Sequence, residues 1–228
     1  MSKLREIVLD TETTGLEPSL GHRIIEIGAV EMVNKVPTNN VFHSYINPEF
    51  KISDSAYKIH GISNDFVRDK PKFIEVVDKF LDFIGSSYLV IHNAKFDMKF
   101  LNNELVLIKK PCLTFDNVID TLKLARQAFP GSRVSLDALC KRFHIDNSKR
   151  KFHGALLDAQ LLSEVYIELT GGNQKEFLTQ DLQPLENTIK SAQSFDTYIN
   201  TIKPKIIYPD ENEIKNHKIM LEKIKSPT

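Results

Sequence analysis

The sequence predicts an α/β fold: a mixed five-stranded sheet with helices on both faces, plus a C-terminal tail. Three observations predict it. Apolar, β-branched runs cluster first and then alternate with stretches of helical period, the order expected of a hairpin-led sheet covered by helices. With 41% hydrophobic and 26% charged residues in 228, the chain can bury one sizeable core. Beyond residue 172 sustained periodicity is lost, so the core ends there.

The first strand is Ile7 to Leu9, which runs straight into Asp10 and Glu12 before Thr13, Thr14 and Gly15 turn the chain. A polar stretch, Glu17 to Arg23, leads to a second strand at Ile24 to Val33. The third is expected at Val41 to Asn47, after a turn at Pro37 to Asn40, giving an antiparallel meander. Ser53 to Asn64 reads as a short helix and loop carrying His60 and Gly61. Phe73, Val76, Val77, Phe80, Leu81 and Ile84 recur at helical spacing and place a helix over Lys72 to Ile84. Tyr88 to His92 is a short buried strand, and Asn93 is expected to cap a helix over Ala94 to Leu107. Phe115 to Asp120 makes a fifth strand that enters a helix ending at Ala128. Ser135 caps the SLDALCKRF helix, and the last helix of the domain spans Ala155 to Leu169, stopped by Gly171 and Gly172.

The tail divides in two. Residues 173–195 are polar and Gln-rich and read as a flexible linker. Residues 196–228 regain apolar spacing: Asp210 caps a helix with Glu213 three residues on, and Ile214, Leu221 and Ile224 fall on one side. A helix this short is marginal alone and is expected to dock on a partner.

Composition excludes several classes. No apolar run is long enough to span a bilayer, and MSKLRE lacks the apolar centre of a signal peptide, so a cytoplasmic protein is expected. Cys112 and Cys140 make neither a disulfide framework nor a cysteine-rich zinc site. Thirty basic and thirty acidic residues balance, so the chain does not coat nucleic acid by bulk charge.

Chemistry is read from acids in unusual places. Asp10 and Glu12 lie on one face of a strand, where two neighbouring anions need a neutralising partner. A solvated strand end explains most such triplets. Asp158, however, sits on the stripe of Leu161, Leu162, Val165, Tyr166 and Leu169, and Asp97 on that of Phe100, Leu101, Leu105 and Ile108. A core-facing acid neutralised by an arginine or a backbone cap is an ordinary explanation once, and a strained one twice beside Asp10 and Glu12. Four acids without a cysteine or histidine cluster favour two divalent cations, Mg2+ or Mn2+, and phosphoryl transfer. His153, at the N-terminal approach to the Asp158 helix, is the candidate general base. Lys141, Arg142, Lys149, Arg150 and Lys151 form a basic cluster around it, read either as a solvated loop or as a place for a phosphate backbone.

LDTETTGL, VIHNAKFD and HGALLDAQLL resemble the three exonuclease motifs of the DEDD superfamily, in the branch whose third motif carries histidine. HRIIEIGAVE, SLDALC and IDNSKR are similar to further segments of its members that proofread for bacterial DNA polymerase III, and the resemblance covers residues 7–172. It implies a ribonuclease H-like fold and 3′-to-5′ removal of nucleotides from DNA ends in a bacterial cytoplasm. Asp10, Glu12, Asp97 and Asp158 are then the metal ligands, Asp97 through waters, and His153 the base. Thr11, Thr13 and Thr14 line the pocket for the 3′ terminus together with Asp10, Glu12 and Asp158, and His60 lies near the terminal nucleotide. Ser55 stands where the family carries a glutamate. By the same resemblance residues 1–172 are the exonuclease domain and residues 196–228 bind the polymerase catalytic (alpha) subunit. Gln174 to Leu178 is similar to sliding-clamp peptides. An exoribonuclease of the same superfamily and a catalytically silent polymerase module are the alternatives.

Overall fold

In a computed structural model, residues 4–148, 150, 152–171 and 215 are described, so the linker, the clamp-like peptide and the C-terminal helix expected above lie outside the described residues. The sheet has five strands in the order β3-β2-β1-β4-β5. β1 (Arg5–Thr13) is central, antiparallel to β2 (Ile24–Val33) and parallel to β4 (Tyr88–Ile91). β3 (Val36–Tyr45) closes one edge against β2, and the short β5 (Val118–Asp120) closes the other, parallel to β4. This is the expected mixed sheet of ribonuclease H-like type.

Seven helices accompany it among the described residues. α1 (Asp54–His60) and α2 (Asn64–Val67) follow β3; each is opened by a serine, Ser53 or Ser63, whose hydroxyl accepts a backbone N–H. α3 (Phe73–Ile84) and α4 (Ala94–Leu107) cover one face of the sheet, where Ile7, Leu9, Ile27 and Ala29 point. α5 (Thr121–Ala128), α6 (Leu136–Phe143) and α7 (Ala155–Leu169) cover the other, over Val8, Val30, Met32 and Val90. Alternation along β1 therefore assigns each residue past Leu9 to a layer: Thr11 faces α4, while Asp10 and Glu12 face α7. Among the described residues no helix is long and apolar enough to cross a membrane.

Two local expectations are corrected. The hairpin between β2 and β3 turns at Asn34 and Lys35, with φ of 52° and 64°, rather than at Pro37 to Asn40. A two-residue turn with both φ positive matches the twist of the strands it joins. Lysine is a poor residue there by itself, but Lys35 Nζ bonds Glu6 Oε1 at 2.8 Å and lies 3.6 Å from the centre of the Tyr166 ring, contacts that local sequence does not reveal. Pro37 is tolerated because β3 is an edge strand and needs fewer ladder donors. Asn93 does not cap α4 with its side chain; it adopts φ 66° and ψ 51°, and its backbone N–H donates to Asp120 Oδ1 at 3.2 Å.

The feature that positions the site is a backbone-to-backbone contact. A Cβ placed on Gly28 would stand 2.2 Å from the Ala155 carbonyl carbon and from the Leu156 nitrogen. Only glycine lets the first turn of α7 lie directly on β2, and Gly28 is the register partner of Asp10. Gly28→Ala is therefore expected to displace α7 and to destabilise the fold by about 1–3 kcal/mol or more, the usual penalty for overpacking a rigid contact. Urea denaturation is the measurement, and an unchanged midpoint would mean that α7 is not seated so closely.

Candidate active site

At the C-terminal end of β1 the chain has left the hydrophobic layers but is still covered by α4 and α7. Asp10 and Glu12 end the face turned to α7. The turn that follows is closed by Thr14, which is fully buried: its N–H donates to the Arg23 carbonyl at 2.9 Å, and its hydroxyl accepts from the Arg23 N–H at 3.0 Å. A Cβ on Gly15 would fall 2.2 Å from the His22 ring, so any larger residue there displaces that ring.

The two helical aspartates arrive from opposite faces. Asp97, in the first turn of α4, is 3% exposed, and its Oδ1 accepts from both the backbone N–H and the hydroxyl of Thr11, at 3.1 and 2.7 Å. Asp158, in the first turn of α7, is 2% exposed. Both carboxylates gain from the partial positive charge of their helix N-termini. His153 precedes α7 and is largely exposed; its backbone N–H donates to the Ile59 carbonyl at 3.1 Å, tying the loop to α1. Its Nδ1 is 3.3 Å from Asp158 Oδ2.

These residues line one cleft of about 620 Å³. Asp10, Glu12, Asp97, Asp158 and His153 meet in it, with Thr11, Thr13, His60 and Ser55 on its walls. Thr14 does not line it, contrary to expectation, because its hydroxyl is spent inside the turn on Arg23 and His22. His60 is buried, with Nδ1 accepting the Ile62 N–H at 2.9 Å; burial lowers its pKa and keeps the ring neutral. Leu16, Ile59 and Phe96 add an apolar wall that the motifs did not single out.

Electrostatically the site is under stress. Burial, then the neighbouring Asp97 and Glu12 charges, raises the Asp10 pKa well above the carboxylate range. Glu12 is pushed up to about 8 by burial and by Asp158, Glu26 and Asp97, and Asp97 to about 7 chiefly by burial. A cluster of hard oxygen donors whose mutual repulsion would be relieved by positive charge fits divalent cations. Glu12, His153 and Asp158 can each bring a ligand atom within 4.8 Å of the others.

Two residues were not legible as site members. Arg150 is not on a solvated loop face: its side chain is 6% exposed and grips both oxygens of Asp158, Nε to Oδ1 and Nη2 to Oδ2 at 2.6 Å each. The arginine explanation of a core-facing acid thus holds for Asp158, and backbone capping holds for Asp97 through the Thr11 N–H. Glu26, the register partner of Glu12, is buried; its Oε2 accepts the Ala155 N–H at 3.2 Å and its Oε1 bonds His43 at 2.7 Å. The only sequence signal for it was an acid inside an otherwise apolar strand.

The Exonuclease family matches residues 7–166. The chain is 55% identical over 228 residues to the DNA polymerase III subunit epsilon of Rickettsia felis, covering 98% of each chain. Among solved structures it is similar to exonuclease X in complex with 5′ overhanging duplex DNA, with 30% identity and TM-score 0.57 over 73% of this chain and 90% of that one. It also shares its fold with the nuclease domain of 3′hExo, a DEDDh family member bound to rAMP, with 22% identity and TM-score 0.64 over 74% and 92% of the two chains.

The raised carboxyl pKa values set a pH dependence. Folded Glu12 keeps its proton to higher pH than the unfolded chain does, so its contribution is fully present below the ordinary value of 4.5 and is lost as pH rises through about 8. In a chelator, wild-type stability relative to Glu12→Gln should fall steadily between those limits. Melting curves of both proteins across that range test it; parallel profiles would show that Glu12 is not buried among like charges.

Proposed function

This chain belongs to the exonuclease family, among the epsilon subunits of DNA polymerase III, and from that premise we propose how its residues edit DNA. It is a nuclease that hydrolyses phosphodiester bonds, a 3′-to-5′ proofreading exonuclease. The observation that carries the residue assignment is the convergence of Asp10, Glu12, Asp97, Asp158 and His153 on one cleft beside the Thr13 to Gly15 turn.

In this reading Asp10, Glu12 and Asp158 would hold two divalent cations, Mg2+ or Mn2+, and Asp97, already engaged by Thr11, would contribute through waters. Bound there, such cations would supply charge stabilisation at the phosphoryl group and would lower the pKa of the attacking water. His153, on the exposed loop end, takes that water's proton as its oxygen joins phosphorus and the strand's oxygen leaves. Thr11 and Thr13 flank the 3′ terminus, His60 approaches the terminal nucleotide, and the apolar wall of Leu16, Ile59 and Phe96 accepts a base lifted from its stack. A mismatched end enters more readily because less pairing must be broken.

Residues 1–172 are taken as the exonuclease domain, 173–195 as a linker and 196–228 as the segment that binds the polymerase alpha subunit. Gln174 to Leu178 is assigned to the sliding clamp. Such tethering suits a chain of zero net charge, since a high local concentration replaces a strong grip on DNA. The bacterial cytoplasm, where the polymerase works, is its assigned location.

With single-stranded DNA and Mg2+, Asp10→Ala should reduce hydrolysis to background with the fold intact, and His153→Ala should lose roughly 10²–10⁴ in turnover while still binding cation. Wild-type rates in either variant would remove that residue from the mechanism. RNA oligonucleotides digested alongside separate this reading from an exoribonuclease. Deletion of the chain beyond Ser194 should abolish co-purification with the polymerase catalytic subunit and leave oligonucleotide hydrolysis unchanged; retained co-purification would move the binding segment elsewhere.

A further inference from the structure

Arg150 has a place in this cleft that none of the roles above uses. Its guanidinium is almost fully buried and makes four contacts: both oxygens of Asp158 at 2.6 Å, Nδ1 of His153 at 2.8 Å and Oδ1 of Asp137 at 2.5 Å. Arginine has donors only, so His153 Nδ1 is the acceptor in that contact and its lone pair is occupied. One side chain therefore engages both the carboxylate assigned to the cations and the ring assigned to the water's proton.

A divalent cation on Asp158 needs at least one of the two oxygens that Arg150 holds. Each oxygen has a second lone pair, but the two-point fork fixes the guanidinium a few ångströms from any dication on the buried Asp158, where like charges repel strongly, whereas a singly bonded ammonium could move aside. The two ligands exclude each other there. Release does not require Arg150 to leave the cleft, because Nη1 is already held by Asp137, which is more than half exposed at the rim. The guanidinium can swing outward about that contact, and the same swing frees His153 Nδ1.

We propose that Arg150 is a positioning residue that competes with the divalent cations for Asp158, so that cation loading withdraws the guanidinium toward Asp137 and releases the general base in one movement. The proposal rests on the cation assignment under Proposed function, and its test reports on the two separately.

The test is Mn2+ binding to the full chain, followed by calorimetry and by paramagnetic resonance of free Mn2+, without substrate. Arg150→Met removes both charge and fork. Arg150→Lys keeps the charge but cannot hold both oxygens, and it also serves if the methionine variant folds poorly. Competition predicts that Arg150→Lys binds Mn2+ roughly tenfold more tightly than wild type, the scale of a lost bidentate charge-assisted contact. Arg150→Met should bind at least as tightly as Arg150→Lys. Wild-type affinity in Arg150→Lys overturns the proposal even where Arg150→Met binds more tightly, since charge alone would then be at work. Asp10→Ala is the control: if it keeps wild-type affinity, the cation assignment itself fails, whereas loss of binding there with no gain in Arg150→Lys defeats only the competition.

Discussion

The structure depends on one constraint, the enclosure of several carboxylates at the end of a strand that is buried on both faces. Asp10, partly exposed, and Glu12, buried, open only onto the cleft, because α4 and α7 continue past the apolar part of the strand. The acids must then be neutralised by protons, by arginine or by a cation, and the raised Asp10 and Glu12 pKa values express that demand. What keeps the demand from relaxing is rigid backbone. Gly28 lets α7 rest on β2, and Glu26 fastens the first N–H of α7 from the same strand, so Asp158 has no room to retreat from Asp10 and Glu12.

Much of this was legible in the sequence because it is written in short-range pattern. The first strand follows from an unbroken apolar run, and the span of α7 and the core-facing stripes of Asp97 and Asp158 from a period of about three and a half residues. Those stripes identified the site, since an acid on an apolar face contradicts the pattern around it. The hairpin was misplaced for the opposite reason. Pro37 and its polar neighbours carry a local turn signal, whereas the positive φ of Lys35 is held by Glu6 and Tyr166, distant in sequence. Asn34, which tolerates a positive φ, is the one local signal of the observed turn, and tertiary contact settles Lys35 beside it.

Thr14 and Arg150 illustrate the same limit inside the site. Thr13 and Gly15 line the cleft while Thr14 between them does not, and Arg150 lines it although its basic run gave no sign of that. Thr14 is diverted because the turn needs its hydroxyl for the Arg23 N–H, a partner fixed only by the pairing of β1 with β2. Arg150 belongs to a run of basic residues whose ordinary fate is solvent. It is buried instead, because Asp158 and Asp137 converge on its position from two different helices. Composition gives the number of charges in a loop but not which of them is drawn inward.

The site is thereby divided into a fixed half and a movable half. Asp10, Glu12, Asp97 and Asp158 stand on a central strand and on helix first turns, held by ladder pairing, by Thr11 and by the Gly28 contact. His153 and Arg150 stand on the connection between α6 and α7, tied down by the Ile59 carbonyl and by side-chain partners. Oxygen ligands must keep a shared geometry to serve cations, so rigidity favours them. A group that accepts a proton and then gives it up must exchange partners, which a loop permits at lower cost than a helix. The cationic, donor-only Arg150 contact to His153 lies on the movable side, while the four acids stay on the strand and the helix turns that carry them.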